Sequence, residues 1–538
     1  MQRLIKITRG LSSPPILITA VWCVTLVSVA VGPIDYPLQP SIPVLLLVGV
    51  GVMLFCAGYS VGGWCFRAWL PLRLSLPAAP VSTLNIAVVA TSLLGMTGVA
   101  LIAFDRVVLS GVSNSGYAEM LRCAPELVDF IEIRRTPLLY AGYLTFSFGF
   151  ASLVLFLLKG EEVRGWAAVL AQLSIVCPVG YALLYSGRMP ILLAIALAIT
   201  AVLVRIGQDR PPLPHGHHLV IKTIAVLVLF GIYTNAMWLS RRSFCAEMGA
   251  VISELGLKKR MQEAERSWAL QTKRASEEQN AVERERQPLQ LDQKPAPEAA
   301  AAIHAADLSK MIDAKALLGG GRQYTPDVNA LVRYMREGWH TSPRAYVLSA
   351  IESDRLSPRT AFNLLNTYFY LTHGISMLDR TWRAHEQFSP HWGIYEIGVL
   401  SPILRVFAPQ NQQLPAMSME LRAADISGFF PTVWAAAFID FGAVGAVIYI
   451  LIWGFAAGWA AYGTRHSSLT TPPLLQTFIL ASILLSPAQG PLGIANSALV
   501  LVSMVIVGAV VDFGSRSSRK EPAALESRTS HSGQVSTS

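Results

Sequence analysis

Residues 429–462 read FFPTVWAAAFIDFGAVGAVIYILIWGFAAGWAAY, an apolar run with one ionisable side chain, Asp440. A straight helix rises about 1.5 Å per residue, so this run would approach ~50 Å, against a bilayer hydrocarbon core of roughly 30 Å. The run therefore begins outside the core or breaks on the way in. Pro431 suits a helix start, and Gly442 and Gly445 stand where the backbone can break or approach a neighbour closely. Asp440 is then expected near the entry to the membrane. Ionisable groups at such depth face a protein interior or a wet cavity and are functional candidates. The competing reading is a helix-end carboxylate kept in headgroup water.

The apolarity extends along the chain. Of 538 residues 53% are hydrophobic and only 14% charged, a balance that excludes an ordinary soluble domain and predicts an all-α, polytopic bundle of transmembrane helices. The start of the chain is basic, and the apolar run 15–32 is long enough to span and lacks a small-residue cleavage pattern, so it reads as an anchor. Ten spans can be drawn: 15–32, 41–62, 81–104, 137–158, 166–185, 190–204, 223–239, 440–462, 474–486 and 491–511. The sixth and ninth are short. With both termini cytoplasmic, the inner segments carry 15 Lys and Arg and the short outer loops 5; the other 23 of the 43 fall within 240–428. No span contains a Lys or Arg, and the asymmetry is that of membrane topology. The net charge of +9 does not imply nucleic acid, because no basic run is interleaved with aromatics.

Four regions follow: spans one to seven (1–239), a large periplasmic segment (240–428), spans eight to ten (429–511) and a disordered cytoplasmic tail (512–538). Within the large segment, 247–293 is a charged insertion in which Leu257, Met261, Ala264 and Trp268 recur on one helical face. It reads as a spacer helix or a partner-binding coiled coil. Residues 294–326 form a linker, whose GGGR (319–322) lacks the Lys-Ser/Thr of a phosphate loop. Residues 327–428 are aromatic-rich and are expected to fold back as a cap, with Ser342-Pro343 and Ser357-Pro358 each reading as an N-cap followed by a first-turn proline. Cys123 and Cys245 are the two cysteines on outer loops and are expected to form a disulfide in an oxidising compartment. Cys23, Cys56, Cys65 and Cys177 read as packed thiols. No metal-ligand spacing and no Asp-x-Asp motif occurs, so no metal or cofactor is expected.

Arg188, in YSGRMP between spans five and six, reads either as a guanidinium fork for a diphosphate or as a snorkelling boundary arginine. SGR after an apolar helix, then YFYLTHGISMLDR (368–380), GIYEIGVLSPILRVF (393–407) and PTVWAAAFIDFGAVGAVIYILIWG (431–454) together resemble the Wzy-type O-antigen polymerases, or oligosaccharide repeat unit polymerases. The resemblance covers about 183–463. The charged insertion 247–293 is foreign to that pattern, and the Asn-x-x-Thr that often precedes the family's Asp-Phe-Gly helix is present here only as Thr432.

The resemblance implies a metal-independent glycosyltransferase at the outer face of the bacterial inner membrane. It would move a growing glycan from its polyprenyl diphosphate onto the next lipid-linked repeat unit, with membrane lipids, a chain-length regulator and a flippase as partners. The leaving diphosphate needs cations, and without Asp-x-Asp these are arginines, Arg188 and Arg405. The attacking hydroxyl needs an acceptor, for which His391 and Asp440 are candidates, followed by His385. Tyr368 and Tyr395 would line the sugar path or pack. A glycan ligase of similar architecture and a non-catalytic assembly subunit are the alternatives. A transporter would need paired ionisable residues or broken helices at the midplane, or an internal repeat, and none is seen.

Overall fold

The computed structural model describes residues 9–36, 40–69, 80–109, 136–185, 189–214, 326–339, 341–397, 413–424, 431–493 and 496–517, with 228, 231, 426 and isolated positions between 259 and 270. The first helices are α1 (Pro14–Val31), α2 (Ile42–Trp69), α3 (Val81–Phe104), α4 (Pro137–Lys159), α5 (Trp166–Leu173), α6 (Val176–Leu184) and α7 (Met189–Gly207). There follow α8 (Pro326–Trp339), α9 (Ala345–Glu352), α10 (Pro358–Arg383), α11 (Gln413–Ala423), α12 (Val433–His466), α13 (Thr471–Leu485) and α14 (Ser497–Ser517). Among the described residues eight helical segments are long and apolar enough to cross a membrane, and α13 is a shorter apolar helix. The chain is a multi-pass helical membrane protein. The sixth expected span is 19 residues rather than 15, because the helix continues through Arg205 to Gly207. The expected span 223–239, apart from 228 and 231, lies outside the described residues, as do Cys123, Cys245 and nearly all of 247–293.

The chain forms two compact units. The smaller comprises 32–37 and 259–369. In it, strands β1 (Ile34–Asp35) and β2 (Ser342–Pro343) pair antiparallel, and the Arg344 N–H donates to the Pro33 carbonyl at 2.9 Å. The expected cap at Ser342-Pro343 is thus replaced by a strand, and α9 begins after Arg344. Ser357 does cap α10: its Oγ accepts from the Thr360 N–H at 3.2 Å, with Pro358 first in the helix. The expected cap region 327–428 is divided, with 370–428 belonging to the larger unit.

The larger unit is the helix bundle, and its polar contacts define two ends. At one, buried Arg205 donates to the Leu157 and Leu158 carbonyls at 3.2 and 3.0 Å and pairs with Glu161. Gln476 there donates to the Ser12 carbonyl, Gln208 to the Thr464 carbonyl, and Asp512 accepts the Thr470 and Thr471 N–H groups. Arg9, Lys159, Arg164, Arg210 and Arg465 belong to the same helix ends, against Glu161, Glu162, Asp209 and Asp512, so cations are in excess at this basic end. At the other end lie the last turns of α3 and α6 and the first of α4 and α14. Cys177 is buried, Cys56 and Cys65 half-buried, whereas Cys23 is exposed on α1, a departure from the expected packed thiol.

The opening run is a hairpin. Trp434 and Trp453 are 19 residues apart, which a straight helix would separate by about 28 Å, yet their ring centroids lie 6.4 Å apart. Phe441 likewise stacks on Tyr449 at 5.5 Å. The reversal is at Gly442, whose φ of 64° and ψ of −173° leave the helical region, a conformation that favours glycine. A short first arm, Val433–Phe441, is capped by Thr432, whose Oγ1 accepts from the Ala435 N–H, so Pro431 lies just outside the helix. That arm begins inside the bundle, where the Val433 N–H donates to the Ser486 carbonyl at 2.9 Å and Trp434 lies 5.2 Å from Trp22. Asp440 therefore stands at the apex of a hairpin rather than at the entry of a straight span.

The long second arm lies backbone-to-backbone against α2. Gly58 and Gly62 meet the Leu451 and Phe455 carbonyls, and Gly454 and Gly458 meet those of Phe55 and Tyr59; a Cβ on Gly458 would lie 1.9 Å from the Tyr59 oxygen. Both helices use glycines four apart, the spacing that lets membrane helices approach closely. Gly458→Val should lower stability by at least about 1 to 3 kcal/mol through overpacking. Gly49→Ala, where a Cβ meets nothing within 4 Å, should change it little. Thermal unfolding of the detergent-solubilised protein measures both.

Candidate functional site

The break at Gly442 dictates what surrounds Asp440. Ending the first arm leaves its last carbonyls without helical donors, and the turn 391–397 supplies one: the Trp392 N–H donates to the Asp440 carbonyl at 2.9 Å. The carboxylate of Asp440 accepts the Tyr395 N–H at 2.9 Å and the Glu396 N–H at 2.5 Å. Asp440 is fully buried. The turn closes on itself through Ile394 N–H to the His391 carbonyl and Ile397 N–H to the Gly393 carbonyl. Ile439 of the arm packs with Met377 and Ile426, and Tyr395 packs against that cluster.

Two more carboxylates are held by this turn. His391 Nε2 lies 2.9 Å from Glu420 Oε2, and Glu420 also accepts from the Ser389 hydroxyl and N–H at 2.6 and 3.2 Å. Burial works against the charge on Glu420, but the hydrogen bonds from His391 and Ser389 outweigh it and hold the carboxyl below its ordinary range. Glu396 Oε1 accepts from the Tyr449 hydroxyl at 2.7 Å and the Leu492 N–H at 2.9 Å, while its buried Oε2 has no partner among the described residues. Burial pushes the Glu396 carboxyl up to about 8; the bonds from Leu492 and Tyr449 pull the other way, and Asp440 adds to the rise.

A second polar cluster lies at this end of the bundle. Beyond Leu492, Asn496 donates to the Tyr181 hydroxyl at 2.9 Å, and the Tyr181 and Tyr185 rings lie 4.9 Å apart. Arg106, in the π-helical turn Asp105–Leu109 that ends α3, donates through Nε to the Tyr185 hydroxyl at 3.2 Å. Tyr143 hydrogen-bonds the same hydroxyl, and Asp105 accepts from Thr136, which caps α4. Two polar clusters thus lie at this end of the bundle: Asp440, Glu396, Tyr449, His391 and Glu420 about the turn 391–397, and Asn496, Tyr181, Tyr185, Tyr143 and Arg106 beyond it.

Of the residues expected from the sequence, Asp440, Tyr395 and His391 come together. His385 is exposed and stacks on Trp382 at 5.4 Å, with its Nδ1 2.8 Å from the Trp382 carbonyl, outside both clusters. Tyr368 belongs to the smaller unit. Arg188 and Arg405 lie outside the described residues. Glu396, Glu420, Tyr449, Arg106, Tyr143 and Tyr185 join these polar contacts without having been expected from the sequence. Tyr185 begins the YSGR motif and Glu396 sits inside GIYEIG, so both carried a signal by position; Glu420 and Tyr449 carried none. No protein-family model, no curated protein and no solved structure matches this chain.

Asp440→Asn should cost about 2 kcal/mol, because an amide N–H₂ in place of one oxygen faces a backbone N–H and leaves it unpaired; chemical or thermal unfolding measures the loss. For Glu396 the folded-state pKa lies above the unfolded one, so folding takes up a proton, and stability falls as pH rises from the ordinary carboxylate range to about 8. Glu396→Gln should flatten that fall and be more stable than the native protein at pH 8 by on the order of 1 to 3 kcal/mol. Unfolding midpoints between pH 5 and 9 check the sign.

Proposed function

We propose that the protein is a polysaccharide polymerase of the bacterial inner membrane, transferring a growing glycan from polyprenyl diphosphate to the next lipid-linked repeat unit at the outer face. The observation that carries the reading is the gathering of two polar clusters at one end of an apolar bundle whose other end carries an excess of cations. By the positive-inside rule the basic end faces the cytoplasm, so the clusters face outward, with both termini inside. The order of motifs resembling Wzy-type polymerases supports the same reading.

In this reaction the bond between the anomeric carbon and the diphosphate oxygen breaks, and its electron pair leaves with the diphosphate. The acceptor hydroxyl bonds to the anomeric carbon and gives up its proton. Arg106 supplies a cation for the leaving group, together with Arg188, three residues after Tyr185 in the chain, and Arg405. The His391–Glu420 pair is the proton acceptor, since its imidazole is polarised by a carboxylate. Asp440 acts differently from a general base: both its oxygens are engaged by backbone N–H groups, and it positions the turn that carries His391.

Chain-length profiles of the surface glycan, from cells carrying variants at matched membrane abundance, test the reading. Arg106→Ala and Arg188→Ala should each cost on the order of 2 to 4 kcal/mol of barrier, with lipid-linked single units accumulating. Arg106→Lys and Arg188→Lys should be nearly as damaging, because a point charge does not replace a planar fork. Native-length polymer from both alanine variants would remove arginine catalysis and leave the reading on resemblance alone.

A further inference from the structure

Trp392 combines two unusual properties. It is 72% exposed, and its φ of 55° places a bulky non-glycine residue in the left-handed region, which costs of order 1 to 3 kcal/mol. Gly393, next to it, has a φ of 90°. The strain is maintained from below: the Trp392 N–H is bound by the Asp440 carbonyl and the following N–H groups by the Asp440 carboxylate. The buried anchor thus holds an exposed indole on the residue that follows His391 in the chain.

Two settings would suit an exposed indole, a lipid interface or a ligand. On α12 the exposed apolar residues are grouped: Val444, Val447, Ile448 and Ile452 recur along the helix. Along the chain Trp392 stands apart from such a group: among the described residues between Leu371 and Val444 it is the one large exposed hydrophobic. The exposed residues preceding it in the chain, Arg383, His385, Glu386, Ser389 and Pro390, are mostly polar. A flat apolar face among hydrogen-bonding groups matches a pyranose ring, which has an apolar face of C–H groups and a hydroxyl rim.

We propose that Trp392 is a stacking platform for a sugar ring of the glycan, a binding contact that rests on the glycosyl-transfer reading above. The strained turn is then a device for presentation: Asp440 fixes the backbone, and the indole face receives a pyranose on the turn that carries His391.

The test uses the full chain in lipid nanodiscs and, as probe, the oligosaccharide released by mild acid from the host's own polyprenyl-diphosphate pool, with saturation-transfer NMR giving Kd. Trp392→Asn, which tolerates the left-handed backbone, should weaken binding at least tenfold while keeping or raising the melting temperature. Trp392→Phe should stay within about threefold. Native-like affinity in Trp392→Asn would overturn the platform and leave the glycosyl-transfer reading standing. No binding by the native protein would overturn both. Quenching by brominated phospholipids of the emission lost in Trp392→Phe would place the indole in lipid and also overturn the proposal.

Discussion

The interaction on which the rest depends is the capture of backbone N–H groups by Asp440 at the apex of the α12 hairpin. A carboxylate buried in an apolar bundle is costly unless its oxygens are engaged, and here the Tyr395 and Glu396 N–H groups engage them. The reversal at Gly442 in turn leaves a carbonyl that Trp392 must satisfy. One residue therefore closes the hairpin and fixes the turn 391–397. Everything that turn carries inherits its position from Asp440: His391 against Glu420, Glu396 against Tyr449 and Leu492, and the outward indole of Trp392.

The second organising feature is the contrast between the two ends. At the basic end, charges serve as helix stops: Arg205 takes the last carbonyls of α4, and Asp512 takes the first N–H groups of α13. Those groups are consumed in closing the bundle. At the other end Asp440, Glu396 and Leu492 form one set of polar contacts, and Asn496, four residues on in the chain, opens a second that runs through the tyrosines to Arg106. Five elements meet across the two sets, so the site belongs to the bundle as a whole. The close glycine contact of α2 with α12 holds the hairpin in place beneath it.

Much of this was legible in the sequence. Apolar length placed the spans, the excess length of 429–462 required a break, and Gly442 was a named position for it. The direction of the break was not legible, because a uniformly apolar run has the same pattern whether it continues straight or folds back. The glycines at 58, 62, 454 and 458 could have signalled the α2–α12 contact. Asp440 stood out as a lone charge in an apolar run, but its partners are backbone groups 44 and 45 residues away, which no local pattern encodes. Glu396 and Glu420 looked like ordinary loop acids for the same reason: their burial comes from distant segments. At Ser342-Pro343 a local cap signal lost to strand pairing with Ile34 and Asp35, a long-range competitor that propensity does not see.

We propose that this chain alone carries the transfer chemistry at the Asp440 end of the bundle. Purified protein in nanodiscs, incubated with lipid-linked repeat units and no other protein, should then yield a ladder of glycans two or more units long, with free polyprenyl diphosphate released for each bond formed. Unchanged single units, from protein that remains folded and monodisperse, would contradict it.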